Sequence, residues 1–342
     1  MEKKMLRFAV LGCGRIGQMH ARNIVIHPET TLAAVYDVNQ EAAEKVAESC
    51  SARSVKNIDH IFESDEIDAL LVSSSTATHA DYIEKAVAHG KPILCEKPID
   101  LNLDRVNRTA RKIKNSNVKI QIGFNRRFDP GHQAAKKAVG EGVIGKLHQV
   151  IITSRDPEMP PKEYYQSAGG LLRDMTIHDF DLARFMLDDE PVEVFALAGG
   201  LIDSNLMNEL NDHDTAIIIL RTEDGKQCCI NNSRTAVYGY DQRVELVGEK
   251  GMLLSNNRKP HEMQKFTKDA STISEPYQFF FLERYSESFM SEIGAFVNSI
   301  RNGTPTEVDF EDGRKALILA ESAYLSLKEK RLVNVSEFND QS

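Results

Sequence analysis

The run Gly12-Cys13-Gly14-Arg15-Ile16-Gly17 constrains this chain more than any other feature, because of what flanks it. An apolar stretch, Leu6 to Leu11, leads into it, and a helix-compatible segment follows to about His27. Strand, glycine loop and helix in that order make the opening of a dinucleotide-binding βαβ unit. Gly12 permits the tight turn, Gly14 lets backbone approach a pyrophosphate, and Gly17 lets the helix pack on the strand. The helix N-terminus then offers N–H groups to phosphate. A second strand, Thr31 to Tyr36, ends at Asp37, twenty residues beyond Gly17. An acid there accepts hydrogen bonds from ribose hydroxyls and repels a 2′-phosphate, which favours NAD over NADP. Arg15 and Ile16, inside the loop, join the cofactor candidates, although a solvated loop arginine is an equal reading of Arg15.

The alternation continues with a helix from Gln40 to Glu48, a short strand near Ala52 to Val55, and an apolar strand Ala69 to Val72. That last strand ends in Ser73-Ser74-Ser75-Thr76, which makes Ser74 a candidate for the nicotinamide ribose. His79 then reads as a plain helix-start histidine. The run Pro92-Ile93-Leu94-Cys95 has the profile of a buried parallel strand, and it delivers Glu96-Lys97-Pro98 at the sheet edge where ligands of doubly wound folds bind. A solvated strand end is the competing reading of Glu96 and Lys97. A helix from Leu103 to Lys114 and a strand from Lys119 to Ile122 complete the series, so the first domain is expected to close at Gly123.

Composition narrows the partners. A length of 342 residues suits two domains. A net charge of −9 argues against a nucleic-acid or anionic-membrane partner. Five cysteines without CxxC spacing supply neither a disulfide framework nor a zinc site, so no metal is implied and a reduced, cytoplasmic setting is expected. The charged start, Met1 to Arg7, is not expected to serve as a signal peptide, and no apolar run approaches the ~18 residues of a membrane span.

In the second half, Phe124-Asn125-Arg126-Arg127 places two arginines directly after the last parallel strand, either for substrate hydroxyls or for structural ion pairs. A helix from Pro130 to Val139 and a strand from Leu147 to Ser154 lead to Arg155-Asp156. The segment Gly169 to Leu187 reads as one helix, with Leu171, Met175, His178, Leu182 and Phe185 at spacings of three and four. His178 then lies on the apolar stripe with Asp174 at i−4 on the same face. Such a pair is often only structural, yet it also has the form of a proton-transfer group beside an orienting carboxylate. Strand-like segments at Val192 to Leu197, Thr215 to Leu220, Gln227 to Asn232, Gln242 to Val247 and Met252 to Ser255 follow, and two helices, about Ser286 to Ile300 and Asp312 to Lys328, close the chain. The expected fold is therefore α/β: a Rossmann doubly wound parallel sheet over residues 1–123, then an α+β domain with a large, mostly antiparallel sheet over residues 124–342.

Taken together, GCGRIG from Gly12, CEKP from Cys95, FNRRFD from Phe124, GGLLRDMTIHDFDLARF from Gly169 and YGYDQRVELVGEKG from Tyr238 resemble the glucose-fructose oxidoreductase and inositol dehydrogenase family over nearly the whole chain. The last three motifs resemble its inositol 2-dehydrogenase members. The resemblance implies NAD-dependent oxidation of myo-inositol to scyllo-inosose, with another cyclitol or sugar, or a non-catalytic NAD-sensing role, as alternatives. It makes Lys97, Asp174 and His178 the catalytic set and places Arg126, Asp156 and Tyr240 around the polyol. It also implies a homotetramer.

Overall fold

The computed structural model describes residues 4–338. It divides into two compact units, one built from residues up to Phe128 with Glu287–Leu317, the other from Asp129–Ser286 with residues from Ile318 onward. In the first unit β1 (Leu6–Leu11), α1 (Arg15–Ile26), β2 (Thr30–Tyr36), α2 (Gln40–Cys50), β3 (Arg53–Ser54), α3 (Asp59–Glu63), β4 (Ala69–Val72), α4 (His79–Ala88), β5 (Ile93–Glu96), α5 (Leu103–Ile113) and β6 (Ile120–Gly123) alternate. Their strands form one parallel sheet in the order β3-β2-β1-β4-β5-β6. This is the doubly wound order, which reverses between β1 and β4.

Helices cover both faces of a parallel sheet, so its strands must be apolar throughout. Phe8 to Leu11 and Ala69 to Val72 are accordingly fully buried. Asparagines start two of the covering helices: Asn39 accepts from the Ala42 N–H and Asn102 from the Arg105 N–H. Gly17 is required where α1 crosses the end of β1, since a Cβ there would lie 1.9 Å from the Gly12 carbonyl oxygen. Gly12 itself has φ +102°, and a Cβ on it would meet the Ser74 nitrogen at 2.4 Å.

The second unit continues with α6 (Pro130–Gly140), β7 (Leu147–Arg155), α7 (Lys162–Ala168), α8 (Leu171–Asp174), α9 (Thr176–Leu187), β8 (Pro191–Gly199), α10 (Ser204–Leu210), β9 (Thr215–Thr222), β10 (Gln227–Ser233), β11 (Asp241–Gly248) and β12 (Gly251–Ser255). After a short hairpin of β13 (Gln264–Lys265) and β14 (Ile273–Ser274) come α11 (Phe281–Arg284), α12 (Ser286–Asn302), α13 (Phe310–Glu329) and β15 (Val333–Asn334). The large sheet runs β12-β11-β7-β10-β9-β8-β15, with β7 and β10 parallel and its other neighbours antiparallel. It is mostly antiparallel, as the strand-rich sequence suggests. Along β9, Ala216, Ile218 and Leu220 are buried while Ile217 and Ile219 stay exposed.

Two local expectations change. The segment Gly169 to Leu187 is not one helix: Gly169 and Gly170 both have positive φ, and the helix that begins at Leu171 is interrupted at Met175. His178 is not on a buried stripe either, for α9 is buried nearly all round, including Thr176, Asp179 and Asp181, and His178 is one of its few half-buried positions. The helices α7 and α10 were not expected at all. Among the described residues no helix is long and apolar enough to cross a membrane.

Late in the sequence, α12 joins the first unit. Its Ile293, Phe296 and Val297 pack in one core with Phe8, Val10, Leu32 and Val46, and the Phe8 and Phe296 rings meet edge to face at 6.2 Å.

Gly17→Ala should lower stability by about 1–3 kcal/mol, the scale of an overpacked core, as read by thermal unfolding. Gly14→Ala is the contrasting variant, because nothing lies within 4 Å of a Cβ at that position. It should leave the melting temperature unchanged and weaken dinucleotide binding by filling the approach. Equal melting temperatures for the two variants would refute this account of the loop.

Candidate functional site

In the first unit the loop after β1 is tied to the end of β2. The Cys13 N–H donates to Asp37 Oδ2 at 2.6 Å, and the Asn39 N–H donates to Asp37 Oδ1 at 2.8 Å. Each oxygen of an ionised carboxylate has a second lone pair, so Asp37 retains acceptor capacity for ribose hydroxyls. No side chain caps α1 and its first turn carries no acid, which suits a helix N-terminus that takes a phosphate. The open space at Gly14 completes a cradle that fits a dinucleotide. Arg15 is exposed and Ile16 half-buried on the same loop. A hollow of about 400 Å³ on the α1–α2 flank, lined by Gln18, Arg22, Asn39 and Lys45, contains none of the candidate residues.

At the next two strand ends, Ser73 Oγ donates to the Gly12 carbonyl at 3.0 Å, and Ser74 and Thr78 share a 2.6 Å hydroxyl contact. His79 is more than a helix start. Its Nε2 lies 3.0 Å from the Ser74 carbonyl and its Nδ1 2.8 Å from the Pro98 carbonyl, so it links the end of β4 to the turn that follows Lys97. Burial holds its pKa below the usual histidine value, and a neutral ring donates to one of these carbonyls at a time. Glu96 and Lys97 are half-buried at the end of β5. Arg126 is buried in the short turn after β6.

The second unit gathers its candidates through the parallel pair β7–β10. Arg155 stands opposite Ser233, and the Asp156 N–H donates to the Ser233 carbonyl at 2.9 Å. Asp156 and Arg234 therefore leave the sheet side by side. Arg234 Nη1 donates to Asp156 Oδ2 at 3.0 Å and Nη2 to Asp174 Oδ2 at 2.8 Å, while Tyr164 Oη donates to Asp174 Oδ1 at 2.7 Å. Burial opposes the charge on Arg234, but the two carboxylates outweigh it and hold its pKa above the usual value. Withdrawal of the Tyr164 hydroxyl from water, reinforced by Asp174, raises that phenol, although 45 % of the residue is exposed.

The start of α9 is pinned beside this cluster. Thr176 Oγ1 donates to Asn232 Oδ1 at 2.6 Å, and Asn232 Nδ2 donates to Asp179 Oδ2 at 2.8 Å. His178 sits on that first turn, half-buried, with its Nδ1 withdrawn from solvent. Tyr240 is buried just before β11 and meets the Tyr285 ring edge-on at 6.1 Å. Thus Asp156 and Asp174 are joined through Arg234, whereas Lys97 and Arg126 belong to the first unit.

Arg234 and Tyr164 were missed from the sequence, and His79 was read only as a helix start. The one available signal for Arg234 was an arginine at the carboxyl end of a strand, in Asn231-Asn232-Ser233-Arg234. Burial, then Asp37, pushes the Cys13 thiol up to about 12, and burial raises Cys95 and Cys228 as well, which disfavours their thiolate forms.

Residues 6–124 match the oxidoreductase family's NAD-binding Rossmann fold, and residues 136–335 match its C-terminal alpha/beta domain. The chain is 43% identical to the inositol 2-dehydrogenase of Rhizobium meliloti over 97% of this chain and 99% of that protein. A crystal structure of a myo-inositol dehydrogenase from Corynebacterium glutamicum is similar at a TM-score of 0.93 and 42% identity, covering 96% of this chain and 98% of that one. A scyllo-inositol dehydrogenase from Lactobacillus casei, crystallised with NAD(H) and scyllo-inositol, is similar at 0.90 and 29% identity, covering 97% and 100%.

Arg234→Met should cost about 3–5 kcal/mol, because it leaves Asp156 and Asp174 without their shared cation. Adding Asp156→Asn should recover part of that loss. Chemical denaturation of the single and double variants measures both, and an Arg234→Met protein as stable as the parent would refute the clamp.

Proposed function

The chain belongs to the GFO/IDH/MocA oxidoreductase family, and from that premise we propose that it is an NAD-dependent inositol 2-dehydrogenase that converts myo-inositol to scyllo-inosose. The observation that carries the reading is the 43% identity, over nearly the full length of both chains, to an inositol 2-dehydrogenase. NAD, when bound, supplies the acceptor for the hydride that leaves carbon 2.

The residues of this chain do the rest. The loop from Gly12 to Gly17, with Ser74 and Glu96, holds the cofactor, and Asp37 favours NAD by accepting from the adenosine ribose and repelling a 2′-phosphate. A secondary alcohol must lose its hydroxyl proton as hydride departs, and a placed base contributes ~10²–10⁴-fold. His178 takes that proton. Asp174 orients it, a role supported by the two hydrogen bonds that fix the carboxylate between Arg234 and Tyr164. Lys97 stabilises the developing alkoxide charge and contacts the nicotinamide ribose. Arg126, Asp156 and Tyr240 bind substrate hydroxyls.

A second reading, oxidation of scyllo-inositol, is favoured by the likeness to the Lactobacillus casei enzyme. An NAD-coupled assay comparing myo-inositol, scyllo-inositol and glucose separates the two. We also propose a cytoplasmic homotetramer. The free cysteines suit a reducing compartment, and the outer face of the large sheet exposes Leu197, Ile217, Ile219, Met252 and Leu254, an apolar surface suited to a second copy.

His178→Ala should lower kcat by ~10²–10⁴-fold with nearly unchanged NAD affinity. Near-normal turnover with a lowered melting temperature would reduce His178 to a packing residue. Light scattering of the dilute protein should give a mass four times that of the chain, and an active monomer would contradict the assembly.

A further inference from the structure

Beneath the end of β5, the reaction set out above leaves two fully buried groups, His20 and Glu292, without a task beside the half-buried Glu96. His20 lies on α1, Glu96 closes β5 just before Lys97, and Glu292 lies on α12. His20 and Glu292 are 0% exposed, and one nitrogen or oxygen from each of the three falls within 4.8 Å of the others. His20 Nε2 is 2.7 Å from Glu96 Oε1, and the imidazole is held edge-on against Phe289 at 5.5 Å. On the other side, a Cβ at Gly123 would lie 2.9 Å from Glu96 Oε2. The Glu96 carboxylate is therefore packed in place.

Glu292 is different. Its backbone carbonyl accepts from Gln121 Nε2 at 3.0 Å, but neither carboxyl oxygen has a hydrogen-bond partner among the described residues. Glu96 from β5 and His20 from α1 present polar atoms within 4.8 Å of its carboxyl, and the amide of Gln121 from β6 bonds its backbone; among the described residues the charged group that acts on it is Glu96. Two carboxylates so close in a dry site do not both stay charged, and the deeper one takes up a proton. Burial first, and the charge of Glu96 second, raise Glu292 well above the carboxylate range. A metal ion would neutralise the set equally well. However, the 2.7 Å between His20 and Glu96 is a hydrogen-bond length, shorter than the ~3.3 Å between two ligands each ~2.0 Å from a tetrahedral zinc.

We propose that Glu292 is a positioning residue: as a neutral acid it leaves Glu96 the single negative charge of the cluster, bonded to His20, and so sets the Glu96–Lys97 end of β5 for the cofactor. The inference rests on the reading of Glu96 and Lys97 as cofactor-binding residues. Ionisation of Glu292 in alkali would set a second anion against Glu96 and loosen that end.

Glu292→Gln, which is neutral at every pH, tests this. At pH 7 its kcat and its KM for NAD should stay within about twofold of wild type. Between pH 7 and 10 the wild-type KM for NAD should rise at least ~3-fold while kcat changes less, and the variant should stay flatter. The melting temperatures provide an arm independent of catalysis. An acid whose pKa is raised by folding binds more protons folded than unfolded, so wild-type stability declines as pH rises from the unfolded carboxylate value toward the folded one. The glutamine variant lacks that decline, and its melting temperature relative to wild type should climb steadily from pH 5 to pH 9.

A difference in melting temperature that does not vary with pH would overturn the proposal. So would loss of NAD binding by the variant at pH 7, or one equivalent of bound metal by elemental analysis in wild type that is absent in the variant. Failure of the inositol assay alone would sink the substrate reading and leave the melting comparison standing.

Discussion

Strand polarity governs where chemistry can occur in this protein. A parallel sheet brings all its carboxyl ends to one edge, and in the first unit that edge presents the glycine loop, Asp37, Ser74, Glu96 and Lys97 from four different strands. The second sheet is antiparallel apart from β7 and β10 among the described residues, and that one parallel pair delivers Asp156 and Arg234 together. The cost of this arrangement is that parallel strands must be apolar along their length and sheathed by helices. The sequence meets it with four-residue strands such as Ala69 to Val72.

The two units neutralise buried acids by opposite means. In the second, Arg234 stands between Asp156 and Asp174 with almost no exposure, and its gain from two anions exceeds its loss of water. That fixes the Asp174 carboxylate beside the start of α9. In the first, burial and the nearby Glu96 raise the Glu292 carboxyl well above the carboxylate range, which favours its neutral form. The difference matters for chemistry, since a clamped anion keeps its charge across a wide pH range whereas a buried acid changes state as pH rises.

Local signals were legible in the sequence and nonlocal pairings were not. The glycine loop, the apolar strands of the first sheet and the helices begun by Asn39 and Asn102 follow from short-range patterns of spacing and capping. Asp174 and His178 were singled out together, but the three-four spacing suggested a stripe that α9 does not have, because nearly every side of it is buried and even Asp179 is satisfied internally by Asn232. Arg234 acquires meaning only when β10 pairs with β7, across 78 residues of sequence. Glu292 is equally silent, being one of two glutamates on an ordinary amphipathic helix until α12 turns it toward Glu96. The short helices α7 and α10 escaped because their polar sequences carry no apolar periodicity.

The place of α12 in the chain bears on how the protein is made. The core under β1 draws Ile293, Phe296 and Val297 from a helix that lies beyond the whole of the second sheet in sequence. On the ribosome the glycine loop and all six strands of the first sheet emerge long before that helix exists. A nascent chain must therefore keep the apolar flank of Phe8 and Val10 from aggregating until residue 302 has cleared the exit tunnel. Completion of the first unit is in this sense a late event of synthesis.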